Sequence, residues 1–243
     1  MLYGLMVVSG IIIATWLTSR LTKKIDVWEA LSFALTFGLV GARLYHVLNF
    51  WSYYSQNPLL ILAIWQGGLG IFGGLLVGLL GLLLYARLRR FRPWALLDLA
   101  ALGVPLAQAI GRFGNLFNQE LFGLPTTLPW GIYINPENRP FPVMFFNKFH
   151  PLAIYESFGC LIIFLILVAL LFYRNSHKTA LDGRLFFTYI ALYGILRFFL
   201  EPLRIESWTV GVVNIAQAVC VFLLVFGVLG LVKSNLRAKT ANH

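Results

Sequence analysis

The chain of 243 residues is 59% hydrophobic and 12% charged, against roughly 25% charged residues in an ordinary soluble domain. This composition excludes a soluble globular fold and a disordered chain, and two cysteines exclude a disulfide scaffold. It predicts an all-α polytopic membrane protein, because helices satisfy every backbone group inside a bilayer.

Apolar runs of about 20 residues identify the segments that can cross a membrane. The sequence predicts seven of them, at 2–18, 28–48, 59–86, 94–117, 151–173, 185–201 and 210–232. The first has no charged region before it, so we expect a retained helix rather than a cleaved signal peptide. Residues 118–149 hold five prolines and predict a small irregular head with short strands, inserted into a single transmembrane domain.

The net charge of +10 has a topological explanation. Most lysines and arginines lie in the connections after the first, third and fifth spans and in the tail. The positive-inside rule then places the N-terminus outside, the C-terminus in the cytoplasm and the head in the periplasm. Because no basic face is interleaved with aromatic residues, we expect no binding of nucleic acid.

Three arginines fall inside predicted spans, where a charge near the bilayer centre costs at least about 2.5 kcal/mol. They are Arg43, Arg112 and Arg197. They lie roughly 22, 27 and 18 Å from the cytoplasmic ends of their spans, in the outer half of the membrane. A shared phosphate site explains this pattern, since guanidinium groups bind phosphate through paired donors. Snorkelling, or ion pairs with glutamates, also explains it; those glutamates are Glu120, Glu156 and Glu201.

Polar side chains accompany two of these arginines. Tyr193, Arg197 and Glu201 follow one another at intervals of four residues and therefore share one helix face. Asn115 and Asn118 follow the arginine of the fourth span at intervals of three, so they point the same way if the helix continues. Such a face is unsuited to lipid, and we expect it to line a polar site.

Glycines are concentrated in the third predicted span. Gly67, Gly68, Gly73 and Gly74 are expected in its outer half. Glycine lets another helix or a ligand approach the backbone. Two interpretations therefore remain open, close helix packing and a cavity for a lipid head group.

The remaining candidate residues are histidines and one aspartate. His46 lies three residues after Arg43, and His150 precedes the fifth span; each is either structural or part of a site. Four histidines and two cysteines without ligand spacing predict no metal centre. Asp98, near the start of the fourth span, is expected to order a helix start rather than to perform chemistry.

The run GRFGNLFNQELFG at 111–123 resembles the signature of the bacterial prolipoprotein diacylglyceryl transferase family. The resemblance covers most of the chain. Further motifs follow in family order: YGLM at 3–6, GARL at 41–44, WQGGL at 65–69, HP at 150–151, YE at 155–156 and YGILRF at 193–198 with Glu201.

The family transfers a diacylglyceryl group from phosphatidylglycerol to the lipobox cysteine thiol of a prolipoprotein signal peptide, and glycerol phosphate is released. The resemblance implies a multi-pass enzyme of the bacterial inner membrane, with a site that opens to the outer half, contacts membrane lipids and needs no cofactor. The predicted catalytic residues are Arg112, Arg197, Tyr193 and Glu120. The predicted substrate-binding residues are Tyr3, Arg43, His46, Gly67, Gly68, Gly73, Gly74, Asn115, Asn118, His150 and Glu201.

One position departs from the family pattern. Many members carry a histidine, considered a catalytic base, where this chain has Phe72 before Gly73 and Gly74. Phenylalanine cannot accept a proton. Either that histidine is dispensable, or another group takes the thiol proton, or activity is lost. The alternatives to an active enzyme are a degenerate member or phospholipid carrier with the same arginines, and a receptor-like seven-helix protein.

Overall fold

The computed structural model describes residues 2–22, 25–176, 182–205, 207, 209–210 and 213–240. Within these ranges the chain forms eight α-helices and two pairs of short strands. The helices are α1 (Leu2–Leu21), α2 (Val27–Asn49), α3 (Trp51–Tyr54), α4 (Ile71–Leu88), α5 (Pro93–Phe117), α6 (Leu152–Ser176), α7 (Arg184–Leu200) and α8 (Ile215–Thr240). The strands are β1 (Ile132–Tyr133), β2 (Lys148–Phe149), β3 (Thr209–Val210) and β4 (Val213–Asn214).

Seven of these helices, all except the four-residue α3, are long and apolar enough to cross a membrane. This confirms the predicted class, an all-helical polytopic membrane protein. The third span differs from the expectation, because its helix begins at Ile71 and not near residue 59. Residues 58–66 form two 3₁₀ turns instead, and Gly67 and Gly68 then adopt φ angles of +85° and +72°. Hydrophobicity alone does not distinguish such a segment from a helix.

The head (residues 118–149) contains the short strands that its composition predicts. Strands β1 and β2 pair antiparallel, with Ile132 opposite Phe149. A small core beneath them holds Ile134, Val143 and Phe149, each at most 8% exposed. The last helix also starts later than expected, because β3 and β4 pair before it.

The chain divides into two compact units, one made of residues 19–96 and the other of residues 1–18 and 97–243. In the larger unit α1 packs on α5 and α6 through Ala14, Leu106 and Phe164. Asp98 of α5 is fully buried, and its carboxylate accepts the backbone N–H groups of Gly183 and Phe186, both at 2.9 Å. It therefore caps the start of α7, the structural role expected from the sequence.

In the smaller unit α2 and α4 touch through their backbones. We call the contact between Gly41 and Gly73 the glycine seam. A Cβ added to Gly73 would lie 2.2 Å from the Gly41 oxygen, whereas one added to Gly74 would meet nothing closer than 3.4 Å. Packing thus accounts for Gly73.

At the other end of the α2–α4 helix pair the Tyr85 hydroxyl donates to Glu29 at 3.1 Å, and Arg89 also pairs with Glu29.

The neighbouring glycines provide a matched test of the glycine seam. Gly73→Ala should lower the melting temperature of the detergent-purified protein, because overpacking costs about 1–3 kcal/mol. Gly74→Ala adds the same methyl group at ordinary van der Waals distance and should leave the melting temperature nearly unchanged. Equal melting temperatures for the two variants would show that the seam does not hold α2 and α4 together.

Candidate active site

A cavity of about 580 Å³ in the larger unit is lined by α5, α6, α7, the head and the segment after α7. Its polar side chains come from both the helices and the head. The helices and the segment after α7 contribute Arg112, Glu156, Tyr193, Arg197 and Arg204. The head contributes Gln119, Glu120, Glu137, Asn138 and Arg139.

The carboxylate of Glu156 lies at the centre of the helical wall and is only 5% exposed. Arg112 Nη2 donates to Oε1 at 2.7 Å, and Arg197 Nη1 donates to Oε2 at 3.1 Å. The Tyr193 hydroxyl donates to Oε1 at 3.3 Å. Three adjacent helices therefore meet at one buried charge, which partly neutralises two guanidinium groups and fixes their spacing.

The ion pairs continue towards the end of α7. Arg197 Nη2 donates to Glu201 at 3.1 Å, and Arg204 Nη1 lies 3.7 Å from the same carboxylate, which is 2% exposed. Arg112, Glu156, Arg197, Glu201 and Arg204 form an ion-pair chain of alternating sign with one excess positive charge. The two carboxylates of this chain are buried, and a buried charge persists only where it is paired and hydrogen-bonded.

Glu120 is placed by a strained turn at the end of α5. Its neighbours Gln119 and Leu121 have φ angles of +55° and +52°, in the left-handed region that non-glycine residues rarely adopt. The turn aims the Glu120 carboxylate back at the helix, where it accepts from Asn115 Nδ2 at 3.5 Å and Asn118 Nδ2 at 3.4 Å. Strain of this kind is concentrated at functional sites.

Gln119 joins the turn to the head. Its Oε1 accepts the backbone N–H of Asn135 at 2.7 Å and the side-chain amide of Asn138 at 3.1 Å. These bonds hold the head residues 135–138 over one side of the cavity. The head and the helices therefore build a single polar compartment.

Five of the predicted residues in this unit lie beside the cavity lining rather than in it: Tyr3, Asn115, Asn118, His150 and Glu201. His150 Nδ1 lies 3.3 Å from the Tyr155 hydroxyl, which also accepts Trp130 Nε1 at 2.7 Å. Tyr3 packs against α5, so that a Cβ added to Gly114 would lie 2.9 Å from its ring.

In the smaller unit Arg43 has a different environment from the other two arginines. It is 7% exposed, and its guanidinium donates to four backbone carbonyls. Nε reaches Ile61 at 2.8 Å, and Nη1 reaches Gly67 at 2.7 Å and Gly68 at 3.1 Å. Nη2 donates to Leu60. Arg43 thus joins the two ends of segment 60–68, which has 3₁₀ turns in place of an α-helix, through four of its carbonyls.

The glycine pair and His46 belong to the same arrangement. A Cβ on Gly68 would lie 2.6 Å from His46 Nε2 and 2.8 Å from Arg43 Nη1. The positive φ angles of Gly67 and Gly68 turn their carbonyls towards the guanidinium. Both glycines are therefore needed for the path of the chain around Arg43.

Comparison with known proteins gives the family. The model of the prolipoprotein diacylglyceryl transferase family matches residues 1–233. The chain belongs to this family.

Three relatives, each named phosphatidylglycerol–prolipoprotein diacylglyceryl transferase, are similar along almost the whole chain. The proteins of Nostoc sp. and Synechocystis sp. are 42% and 40% identical, over 94% and 95% of this chain and 83% of each relative. The protein of Fervidobacterium nodosum is 38% identical, over 93% of this chain and 78% of the relative.

The signature run of the transferase family thus ends α5, and the motif YGILRF with Glu201 ends α7, on two walls of one cavity. Sequence reasoning named Glu156 as one of three possible partners and as part of the YE motif, but not as a site residue, although it pairs with both arginines at the cavity wall. Gln119, Arg139 and Arg204 were also missed as site residues. Gln119 and Glu156 lie within the family motifs at 111–123 and 155–156, and a polar residue inside such a motif is the signal that could have found them.

Phe72, at the position of the family histidine, lies in the first turn of α4 and is 69% exposed. Its ring centroid is 6.2 Å from that of Tyr45. The position is therefore accessible from outside the smaller unit.

Replacement of the Arg43 guanidinium should loosen the segment that it holds. Lysine keeps the charge but cannot span four carbonyls, so Arg43→Lys should speed amide hydrogen exchange in residues 60–68 about tenfold or more. Mass spectrometry of nanodisc samples would measure this, with exposed Arg92→Lys as the control. Unchanged exchange of residues 60–68 in Arg43→Lys would show that the Arg43 guanidinium does not hold this segment in place.

Removal of the Glu156 charge should destabilise the larger unit. In Glu156→Gln the two partly buried guanidinium groups lose their shared, buried carboxylate, and breaking a buried pair costs about 3 kcal/mol or more. The melting temperature in detergent should fall clearly below that of Glu137→Gln, which changes an exposed carboxylate of the same cavity. A fall of the same size in both variants would argue against a central role for Glu156.

Proposed function

We propose that this protein transfers the diacylglyceryl group of phosphatidylglycerol to the lipobox cysteine thiol of prolipoprotein signal peptides. The sulfur attacks the diacylglyceryl carbon that carries the phosphate ester oxygen. A C–S bond forms, the C–O bond breaks, and glycerol phosphate leaves with the bonding electrons. Family membership and the substrates named for the relatives support this reaction.

The observation that carries the proposal is the convergence of Arg112 and Arg197 on Glu156 at the cavity wall. The described bonds use two N–H donors on each guanidinium, and further donors remain for an anion. A phosphodiester bridging both arginines would receive paired, charge-assisted hydrogen bonds. The ion-pair chain carries an excess positive charge that suits a lipid with one negative charge.

The head side of the cavity suits the glycerol part of the substrate. Glu120 and Asn138 present carboxylate and amide oxygens, which accept hydrogen bonds from hydroxyl groups. Asn115 and Asn118 hold the Glu120 carboxylate in place. We assign Glu120 to orient the glycerol head group, and Tyr193 to support the arginine wall through Glu156.

Catalysis then rests on charge that grows during the reaction. The phosphodiester carries one negative charge, and the departing glycerol phosphate gains another as the C–O bond breaks. Arg112 and Arg197 would therefore bind the transition state more tightly than the lipid, which is the condition for acceleration.

We assign Arg43 to positioning segment 60–68 rather than to the phosphate, because its N–H groups donate to backbone carbonyls of that segment.

The thiol proton must go to a group other than residue 72. A free cysteine thiol has a pKa of about 8.5, and nearby guanidinium groups lower it. Glu120 remains the proposed acceptor, whereas His46, the other candidate from the sequence, lies in the smaller unit beside Gly68. The charge pattern of the connections further supports an outside N-terminus, a cytoplasmic C-terminus and a site in the outer half of the inner membrane. Translocated precursors arrive on that side.

The test of the function uses purified protein in phosphatidylglycerol micelles with a lipobox peptide. Mass spectrometry should find the diacylglyceryl thioether together with an equal amount of released glycerol phosphate. Both products would also show that a histidine at position 72 is unnecessary. If protein that binds phosphatidylglycerol forms neither product, the chain is a lipid carrier or a degenerate member, and Phe72→His is the variant that separates these two.

Lysine variants test the arginine wall. Arg112→Lys and Arg197→Lys keep the charge but lose the paired donors, so each should reduce turnover at least about a hundredfold. Membrane insertion and the elution volume on size exclusion should stay normal. Exposed Arg87→Lys is the control. Near-normal turnover in both variants would remove these arginines from the mechanism.

A further inference from the structure

The head presents large apolar side chains away from the cavity. Phe141 and Phe145 are each 83% exposed, Phe146 is 52% exposed and Met144 is 46% exposed. On the spanning helices such exposure is expected, because lipid covers those surfaces. The head consists of two short strands and irregular loops, so its exposed aromatic cluster needs a separate explanation.

The cluster sits on an ordered double turn, which we call the head tip (residues 140–146). The backbone N–H of Val143 donates to Pro140 at 3.0 Å, and that of Phe146 donates to Val143 at 3.1 Å. Between these turns the Val143 side chain points inward, where it packs with Ile134 and Phe149. Because Val143 anchors the middle of the head tip, its aromatic neighbours are held on the outside.

Arg139 fixes the head tip to the strand beneath it. Its Nε donates to the carbonyl of Ile134 at 2.8 Å, and its Nη1 donates to that of Met144 at 3.2 Å. The guanidinium carbon also lies 5.3 Å from the centre of the Tyr133 ring. These contacts hold the exposed aromatic side chains in a defined arrangement, so their exposure does not result from a loosely held loop.

We propose that the head tip inserts into the membrane leaflet that adjoins the head and anchors the head there. Two side chains at 83% exposure form a protrusion, whereas docking of a peptide helix requires a groove. A protrusion of phenylalanines is suited to the boundary between head groups and acyl chains.

The position of the head tip along the chain supports a lipid partner. Phe146 is six residues before Leu152, where α6 begins, so at most about 21 Å of extended chain separates it from a spanning helix. Lys148 is exposed between them and can pair with lipid phosphates. Trp130 and Tyr133 are each 56% exposed, and both types are enriched at membrane interfaces.

A nitroxide spin label at Phe145→Cys in single-copy phosphatidylglycerol nanodiscs tests the insertion. Collisions with oxygen, which concentrates in lipid, are compared with collisions with a nickel chelate, which stays in water. The native cysteines, Cys160 and Cys220, are 0% and 6% exposed, so background labelling is low. Controls are Thr127→Cys, exposed in the head, and Ile162→Cys, 57% exposed within α6.

The proposal expects the oxygen-to-nickel ratio at position 145 to be on the order of threefold above that at 127 and below that at 162, a shallow insertion. Phe141→Cys should give the same ranking, and it takes over as the probe if the first variant does not fold. The test needs no enzymatic turnover, so its outcome is independent of the proposed transfer reaction.

Three results would overturn the proposal. A ratio at 145 equal to that at 127 would mean that the head tip stays in water. Shielding that appears only in liposomes, with dipolar broadening between labels, would mean that it pairs with a second copy of the chain. Shielding that appears only after a lipobox peptide is added would assign the head tip to the precursor.

Discussion

The site depends on one buried carboxylate. Glu156 of α6 accepts hydrogen bonds from Arg112 of α5 and from Arg197 and Tyr193 of α7, so side chains of two neighbouring helices are oriented by the same pair of oxygens. A lone buried glutamate would be too costly to keep ionised, and two adjacent guanidinium groups would repel each other. Each charge therefore lowers the free-energy cost of burying the others. What results is a rigid cationic wall inside an apolar protein.

The sequence predicted those features that depend on composition and on depth in the membrane. Seven apolar segments had to be spanning helices, because nothing else satisfies the backbone in lipid. Arg112 and Arg197 stood out because an arginine within a span requires a partner or a cavity, and here both requirements are met. Asp98 was expected to order a helix start, and it does so for α7 rather than for its own helix.

Other features depend on tertiary contacts that no local pattern encodes. Three glutamates were possible partners for the arginines, and only the packing of α6 between α5 and α7 selects Glu156. Arg43 looked like its two counterparts, yet its donors meet carbonyls of a chain segment about 20 residues away. That segment is as apolar as a helix, so the 3₁₀ turns before Ile71 were not predictable from hydrophobicity.

The glycine seam limits which residues of α2 and α4 can be substituted during evolution. A Cβ added to Gly41 or Gly73 would meet the backbone oxygen of the other glycine and, beside it, the side chain of Val77 or Tyr45. The leucines on the outer faces of α2 and α4, such as Leu39 and Leu75, are exposed to lipid and can be exchanged freely for other apolar residues. Adaptation to a thicker or stiffer bilayer can therefore proceed on the outside of the helix pair, while each methyl group added at the glycine seam would overlap atoms of the opposite helix.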